Sequence, residues 1–183
     1  MNRIIECPFC QTQTFVRMSV KPGVKYENVI WEHCQNVKCG KRFMVPLNYW
    51  RVYLARTFNV SDSKYKYPVH VKSCFSGVLD FVDPLYFKDA PNWRKNPELI
   101  VSFDENLIDE CDILVAFINQ PTFGTLGELH YAHNKDMMTY VINGNGVHMN
   151  DPWLKYIVDG MYEDTDKCYY DLINLAVRIY NAK

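Results

Sequence analysis

The sequence predicts an α/β fold, a flavodoxin-like (Rossmann-like) parallel sheet preceded by a small zinc-finger or zinc-ribbon module. Three observations carry this expectation. Cysteines fall into two close pairs near the N-terminus, Cys7-Pro-Phe-Cys10 and Cys34-Gln-Asn-Val-Lys-Cys39. Ile113–Ile118 is an unbroken apolar run, as a central parallel strand buried on both faces requires. Short strand-like runs alternate with helix-periodic stretches from residue 49 onward, the pattern of right-handed βαβ units. The chain therefore divides into a finger over 1–45, a junction at Val45-Pro-Leu-Asn48, and an α/β domain over 49–183.

The α/β domain opens on Tyr49-Trp-Arg-Val-Tyr-Leu-Ala55, an aromatic and β-branched first strand. A helix is expected over roughly 62–77. Asp80-Phe-Val-Asp-Pro-Leu85 reads as a short second strand stopped by Pro84. Residues 86–97 form a loop rich in Pro, Asn, Lys and aromatics, suited either to a lid over a base or to edge packing. Leu99, Ile100, Phe103, Leu107 and Ile108 recur at helical spacing and place a helix over roughly 98–110. The central strand follows, then a helix from about Thr125 to Lys135. Met138–Ile142 is the next strand, closed by the turn Asn143-Gly-Asn-Gly146. Tyr156–Asp159 is expected as a fifth strand. Asp166–Tyr180 is a final helix with Tyr169, Leu172, Ile173, Ala176 and Ile179 on one face.

Composition narrows the class. Of 183 residues, 48% are apolar and 15% aromatic, enough for a packed core. No apolar run approaches the length of a membrane span, and the first residues lack the apolar core of a signal peptide. Seven cysteines, an odd number, argue against a fully paired secreted framework and for a reducing cytoplasm. The net charge of -1 hides an asymmetry, formally +4 over 1–45 and -5 over the remainder.

Four thiolates close a tetrahedral zinc shell, and pairs with two to four intervening residues are what such shells use. Cys7, Cys10, Cys34 and Cys39 are therefore expected to hold one structural zinc, with His33 as a substitute ligand or a neighbour. Cys74, Cys111 and Cys168 are expected to pack in the core. The residues Cys-Pro-x-Cys and Cys-Gln-Asn-Val-Lys-Cys-Gly-Lys-Arg-Phe43 resemble the Ogr/Delta-like zinc fingers of phage late-gene activators. That resemblance implies contact with DNA or RNA polymerase and a phage or prophage source. Two negative charges remaining on a four-thiolate zinc site reduce the module to about +2, so a protein-docking role stands equally beside nucleic-acid contact.

In the α/β domain the residues that invite chemistry are carboxylates. Asp104 lies on the helix before the central strand, and Glu128 on the helix after it. Thr125-x-x-Glu128 also fits a capping box, in which both residues serve only the helix start. The residues Tyr53-Leu-Ala, Asp104 with seven residues to Asp112-Ile-Leu-Val-Ala, and Gly124-Thr-Leu-Gly-Glu128-Leu-His-Tyr-Ala132 resemble the nucleoside 2-deoxyribosyltransferase family and its nucleotide N-hydrolase relatives. The resemblance covers most of 49–183. It implies that Glu128 attacks C1′ of a (deoxy)ribosyl group and expels the base, that Asp104 holds sugar or base or assists proton transfer, and that Tyr53 orients Glu128. It also implies a nucleoside or nucleotide substrate, no organic cofactor, and a homo-oligomer in which a neighbouring subunit's loop completes the site, with His148-Met-Asn150 as the nearest match. One departure stands out. The transferases carry an acid six positions before the nucleophile, where this chain has Thr122. Thr122, Asn119 or Gln120 can supply a neutral hydrogen bond instead; Thr122, Gly124, Thr125, Asn119 and Asn150 make up the expected substrate-binding set. Two other readings stay open, a nucleotide sensor that binds without turnover and an NAD-type glycohydrolase.

Overall fold

The computed structural model of the chain describes residues 2–17, 29–47, 49–56, 78–84, 96–118 and 122–182. The helix expected over 62–77, nearly all of the loop over 86–97, Cys74, Asn119 and Gln120 lie outside the described residues. Those within 1–50, 69–80 and 169–183 form one compact unit, and those within 51–68 and 81–168 form another.

The first unit contains two antiparallel hairpins. Strand β1 (Asn2–Glu6) pairs with β2 (Gln13–Arg17), and β3 (Val29–His33) pairs with β4 (Arg42–Pro46). Each hairpin turns through one cysteine pair. In the first turn Cys7 N–H donates to Thr12 O at 3.0 Å and Gln11 N–H donates to Cys7 O at 2.8 Å, with Gln11 in the left-handed region at φ 59°. In the second, Cys39 and Gly40 N–H both donate to Asn36 O at 2.9 Å. Gly40 sits at φ 52°, and a Cβ there would meet nothing within 4 Å. Glycine serves that turn through backbone freedom rather than through space.

A five-stranded sheet, most of whose residues belong to the second unit, consists of β5 (Trp50–Ala55), β6 (Leu79–Val82), β7 (Ile113–Phe117), β8 (Met138–Ile142) and β9 (Gly160–Tyr162), in the order β6-β5-β7-β8-β9. Strands β5, β7, β8 and β9 run parallel, with Val52 opposite Ile113, Ile113 opposite Met138 and Tyr140 opposite Gly160. Counted along the chain the order is second, first, third, fourth, fifth, which is the flavodoxin-like arrangement. All five residues of β7 are buried, as its unbroken apolar sequence requires.

Helix α1 (Pro97–Asp109) starts at an Asn96 cap whose side chain accepts from Leu99 N–H, with Pro97 at the first helical position. Helix α2 (Phe123–Asn134) and helix α3 (Pro152–Ile157) follow β7 and β8. Alternate residues of three strands, Tyr53 and Ala55, Leu114 and Ala116, and Val141, pack with Ile108, Leu129, Ala132, Leu154 and Ile157 from the helices. Helix α4 (Thr165–Asn181) runs on into the first unit, where Glu6 N–H donates to Asn174 Oδ1 at 3.0 Å and Met44 N–H to Asn181 Oδ1 at 2.9 Å. No described helix is long and apolar enough to cross a membrane.

Two expectations are corrected. Tyr156–Asp159 is not a strand. Asp151-Pro152 is a cap followed by an N1 proline, Asp151 Oδ1 accepts from Trp153 and Leu154 N–H, and the resulting turn of helix buries Leu154 and Ile157. The strand begins at Gly160 instead, where a Cβ would come within 3.0 Å of the Tyr140 ring. In α1 the apolar stripe is not the inward face at its start. Leu99 is 64% exposed, and the buried positions are Asp104 and Ile108, one turn apart.

Candidate active site and candidate metal centre

A carboxylate of unusual environment lies at the switch point of the sheet. In this strand order the chain leaves β5 for one side and β7 for the other, and the crevice at the carboxyl ends between them is where open α/β sheets bind ligands. Tyr53 projects from β5 and is fully buried. Its hydroxyl donates to Glu128 Oε1 at 2.9 Å. Glu128 stands on α2, which starts beyond the end of β7, and is half-buried. Its second oxygen, Oε2, is buried without a hydrogen-bond partner. Asp104, 8% exposed, comes from the inward face of α1, and its Oδ1 is likewise buried and unpartnered.

These groups open onto a cavity of about 440 Å³. Its wall includes Ile100, Val101, Phe123 and Tyr131, the carboxylates of Asp104, Glu105 and Glu128, and the guanidinium of Arg56. Thr122, Gly124 and Thr125 line it too. Asn150 is not among its lining residues; it is exposed and accepts from Lys155 Nζ at 3.1 Å. The capping-box expectation for Glu128 is corrected. The cap is Thr122, whose Oγ1 accepts from Thr125 N–H at 3.4 Å and donates to Thr125 Oγ1 at 3.0 Å. The helix starts three residues before the position a Thr125 cap requires, so Glu128 lies past the first turn and its carboxylate is released from the backbone to meet Tyr53.

Burial dominates the electrostatics. Removal from water disfavours the charged form of a carboxylate. It pushes Glu128 up to about 8, with Tyr53's hydrogen bond opposing and Asp104's charge adding to the rise. Asp104 is pushed up to about 6 by burial. Burial and the two acids drive the Tyr53 phenol far above its ordinary range, so it remains a donor. Two carboxyls are thus held at raised and separated pKa values, and such perturbation concentrates at functional sites.

The other chemistry-bearing residues have plainer places. Asp112 Oδ2 accepts from Arg51 N–H at 2.8 Å and pins the start of β7 to β5. His130 is on the surface and the His133 ring lies tilted against Tyr156, with centroids 5.5 Å apart. Cys111 and Cys168 are buried.

Sequence reading missed Arg56 and Asp83. Arg56 Nη2 pairs with Asp83 Oδ2 at 2.5 Å, and its Nε donates to Asp83 Oδ1 at 3.4 Å. Both residues directly follow a strand, β5 and β6, on the carboxyl edge. A polar residue just past the end of a parallel strand was the available signal.

In the hairpin unit Cys7, Cys10, Cys34 and Cys39 converge, with all four sulfurs within 4.8 Å of one another. Cys7 and Cys39 Sγ are 3.8 Å apart, and Cys10 and Cys34 Sγ 3.5 Å. Zinc–sulfur bonds of about 2.3 Å in a tetrahedron set the sulfurs about 3.8 Å apart, so the donor set and its spacing fit one zinc ion. His33, at the end of β3, is not part of the group. As free thiols Cys7 and Cys10 are unlike. Burial pushes Cys7 up to about 12, whereas the Thr12 hydroxyl brings Cys10 down to about 6. A divalent cation would displace the protons that burial retains.

No protein-family profile matches the chain, and no curated protein matches it in sequence. Solved structures do. The CMP N-glycosidase BcmB of Clostridium botulinum is 18% identical, with a TM-score of 0.43, over 68% of this chain and 98% of that one. A conserved protein of Enterococcus faecalis V583 is 20% identical, with a TM-score of 0.42, over 68% and 86%. A Sir2 homologue in complex with ADP ribose is 12% identical, with a TM-score of 0.31, over 97% of this chain and 48% of that one.

Proposed function

We propose that the α/β unit cleaves an N-glycosidic bond of a nucleoside or nucleotide through a glycosyl-enzyme on Glu128. One observation carries this reading. Tyr53 holds one oxygen of Glu128 at 2.9 Å while the other is buried, unpartnered and on the wall of a cavity that also holds Asp104. A fixed carboxylate with one free oxygen is the arrangement a carboxylate nucleophile needs.

In the first step Glu128 Oε2 bonds to C1′ as the bond from C1′ to the base nitrogen breaks. The electron pair leaves with the base, and Asp104 supplies the proton in the tautomer of the singly protonated pair that leaves Glu128 bare, the minority form because Glu128 has the higher pKa. In the second step water, or a second base, bonds to C1′. Asp104 takes up the released proton, and the Glu128 carboxylate is regenerated. Positive charge develops on the ribosyl ring between these states, and ionised Glu128 stabilises it. Zinc has no part in these steps; Cys7, Cys10, Cys34 and Cys39 would hold it as a structural ion.

Glu128→Gln should abolish base release from deoxynucleosides, nucleosides and their monophosphates while the circular dichroism spectrum stays unchanged. Asp104→Asn should slow release less, since its role is proton transfer and positioning. Base release by Glu128→Gln at the wild-type rate refutes the proposal. The nucleotide-sensor reading draws on Thr122, a neutral group where the transferases carry an acid. It requires tight binding and no turnover in the same assay. The exposed pair Trp153 and Tyr156 on α3, each 74% exposed, supports self-association, which light scattering tests. On the hairpins Lys41 Nζ lies 4.7 Å from the Phe9 ring and Arg42 lies 4.4 Å from the Trp31 ring. Exposed aromatics beside cations support contact with nucleic acid, and a salt-dependent shift on DNA tests it.

A further inference from the structure

The cavity around Glu128 holds more acid than cleavage of a neutral base uses. Three carboxylates line it, Asp104, Glu105 and Glu128, and Arg56 is the one cation among the described lining residues. Arg56 does not offset them. Its Nε and Nη2 are bound to the two oxygens of Asp83, whose side chain is fully buried, so that pair is already neutral. Two of the three acids are also short of hydrogen bonds. Asp104 is 8% exposed with Oδ1 buried and unpartnered, and Glu128 Oε2 is buried and unpartnered on the same wall. A buried carboxylate without a partner costs free energy that a bound group of opposite charge recovers. Sugar hydroxyls and a neutral base bring hydrogen bonds but no charge.

The rest of the wall suits a flat cation. Ile100 and Val101 are apolar, and the ring of Phe123 is 98% exposed. An aromatic face attracts a cation electrostatically. We infer that this cavity favours an N-glycoside whose base carries a fixed positive charge, a pyridinium or an N7-alkylated purine, held by Asp104 and Glu105 beside Glu128. The inference rests on the reading of the cavity as the N-glycosidic site. It also changes the proton balance. A neutral base leaves as an anion unless Asp104 protonates it, which needs the minority tautomer of the pair. A cationic base takes the electron pair of the breaking bond from C1′ to nitrogen and leaves neutral, with no proton supplied. Glu128 Oε2 bonds to C1′ in that step. Water then bonds to C1′, gives its proton to the Asp104 carboxylate, and releases the Glu128 carboxylate. A cation beside a carboxylate favours its ionised form, so the bound base itself bares Glu128 for attack. The need for a proton on the pair applies to neutral bases alone.

The test separates binding from chemistry. Calorimetry on the intact chain uses rings without a glycosidic bond that differ by one charge, 1-methylnicotinamide against nicotinamide and 7,9-dimethylguaninium against 9-methylguanine. In at least one pair the cation should bind ten-fold or more tighter, and the pair that shows it tells a pyridinium from an alkylated purine. Asp104→Asn with Glu105→Gln should bring that ratio to within two-fold while the neutral ring keeps its affinity, and Glu105→Gln alone should leave an intermediate ratio. Single-turnover base release then compares nicotinamide riboside and 7-methylguanosine with neutral nucleosides. The loss of rate on Asp104→Asn should be at least ten-fold smaller for the charged riboside, since its base needs no proton. Equal affinity for cation and neutral ring in both pairs overturns the inference, as do a preference that survives the double change and an equal loss of rate for charged and neutral substrates. Glu128-dependent base release from neutral nucleosides without a preference for cations overturns it too and leaves the proposed function standing. A cation preference that depends on the two acids, with no base released from any riboside, upholds recognition of the cationic ring and removes the proposed chemistry. If no ring binds and no riboside releases its base, both readings fall.

Discussion

At the scale of the residue, Glu128 and Asp104 titrate as a pair, and their raised values set a pH window. The pair gives up one proton near pH 6 and the second near pH 8. The proposed reaction needs one proton on the pair, for the departing base, and one bare carboxylate, for C1′. The rate should therefore rise through about pH 6 and fall through about pH 8, read as kcat/KM against pH. A profile flat between pH 5 and 9 would contradict the assignment. The same burial affects stability. Glu128 has a folded pKa above its unfolded one, so the protonated form is favoured by folding. Its contribution is fully present below the unfolded value of 4.5 and is lost as the pH rises through about 8. Glu128→Gln should accordingly raise the melting temperature at pH 9 and change it little at pH 4. Thr122 is legible in the sequence as a departure from the transferase pattern, but its place as the cap of α2 is not. A Thr three residues from another Thr offers two equally good caps, and nothing local in the sequence separates them.

At the scale of the element, hairpins and helices were legible to different degrees for identifiable reasons. Strand β7 carries its burial in its sequence, and the cysteine turns carry their spacing. Helix α1 misleads because Leu99 is apolar and exposed, while Asp104 is acidic and buried. An inward carboxylate breaks the periodic signal there. Helix α3 has six residues, too few for periodicity to register, and only the Asp151-Pro152 start marks it. Arg56 and Asp83 were invisible as a pair because 27 positions separate them and nothing local joins them. For the cysteine hairpins the expected measurement is about one zinc per chain, the content of a closed four-ligand shell. Cys34→Ser should release the metal and lower the thermal stability of the hairpins, since a small zinc module folds largely because it binds zinc. A chelator titration followed by near-ultraviolet circular dichroism should report the same loss.

At the scale of the whole molecule, the sheet order was the part of the architecture least visible in advance, because periodicity identifies strands but not their neighbours. The expectation of a flavodoxin-like sheet agrees with the observed order. The proposal that 49–183 is a separable domain leads to a measurable consequence. Removing 1–45 takes away the partners of Asn174 and Asn181 on α4, including the 2.7 Å bond from Asn181 Nδ2 to Met44 O. The truncated chain should lose at least about 1 kcal/mol in urea unfolding for those hydrogen bonds alone. Those bonds also bear on how the chain is made. They join residues 168 and 137 positions apart. On a ribosome adding about 5–20 residues per second, the two hairpins emerge seconds before the helix that meets them. Until residue 181 has been made, the bonds of Glu6 and Met44 to that helix cannot all form, while the four sulfurs can already hold the two hairpins together. Metal capture would then act as a placeholder during synthesis, and zinc starvation should show first as loss of newly made chains rather than of mature ones.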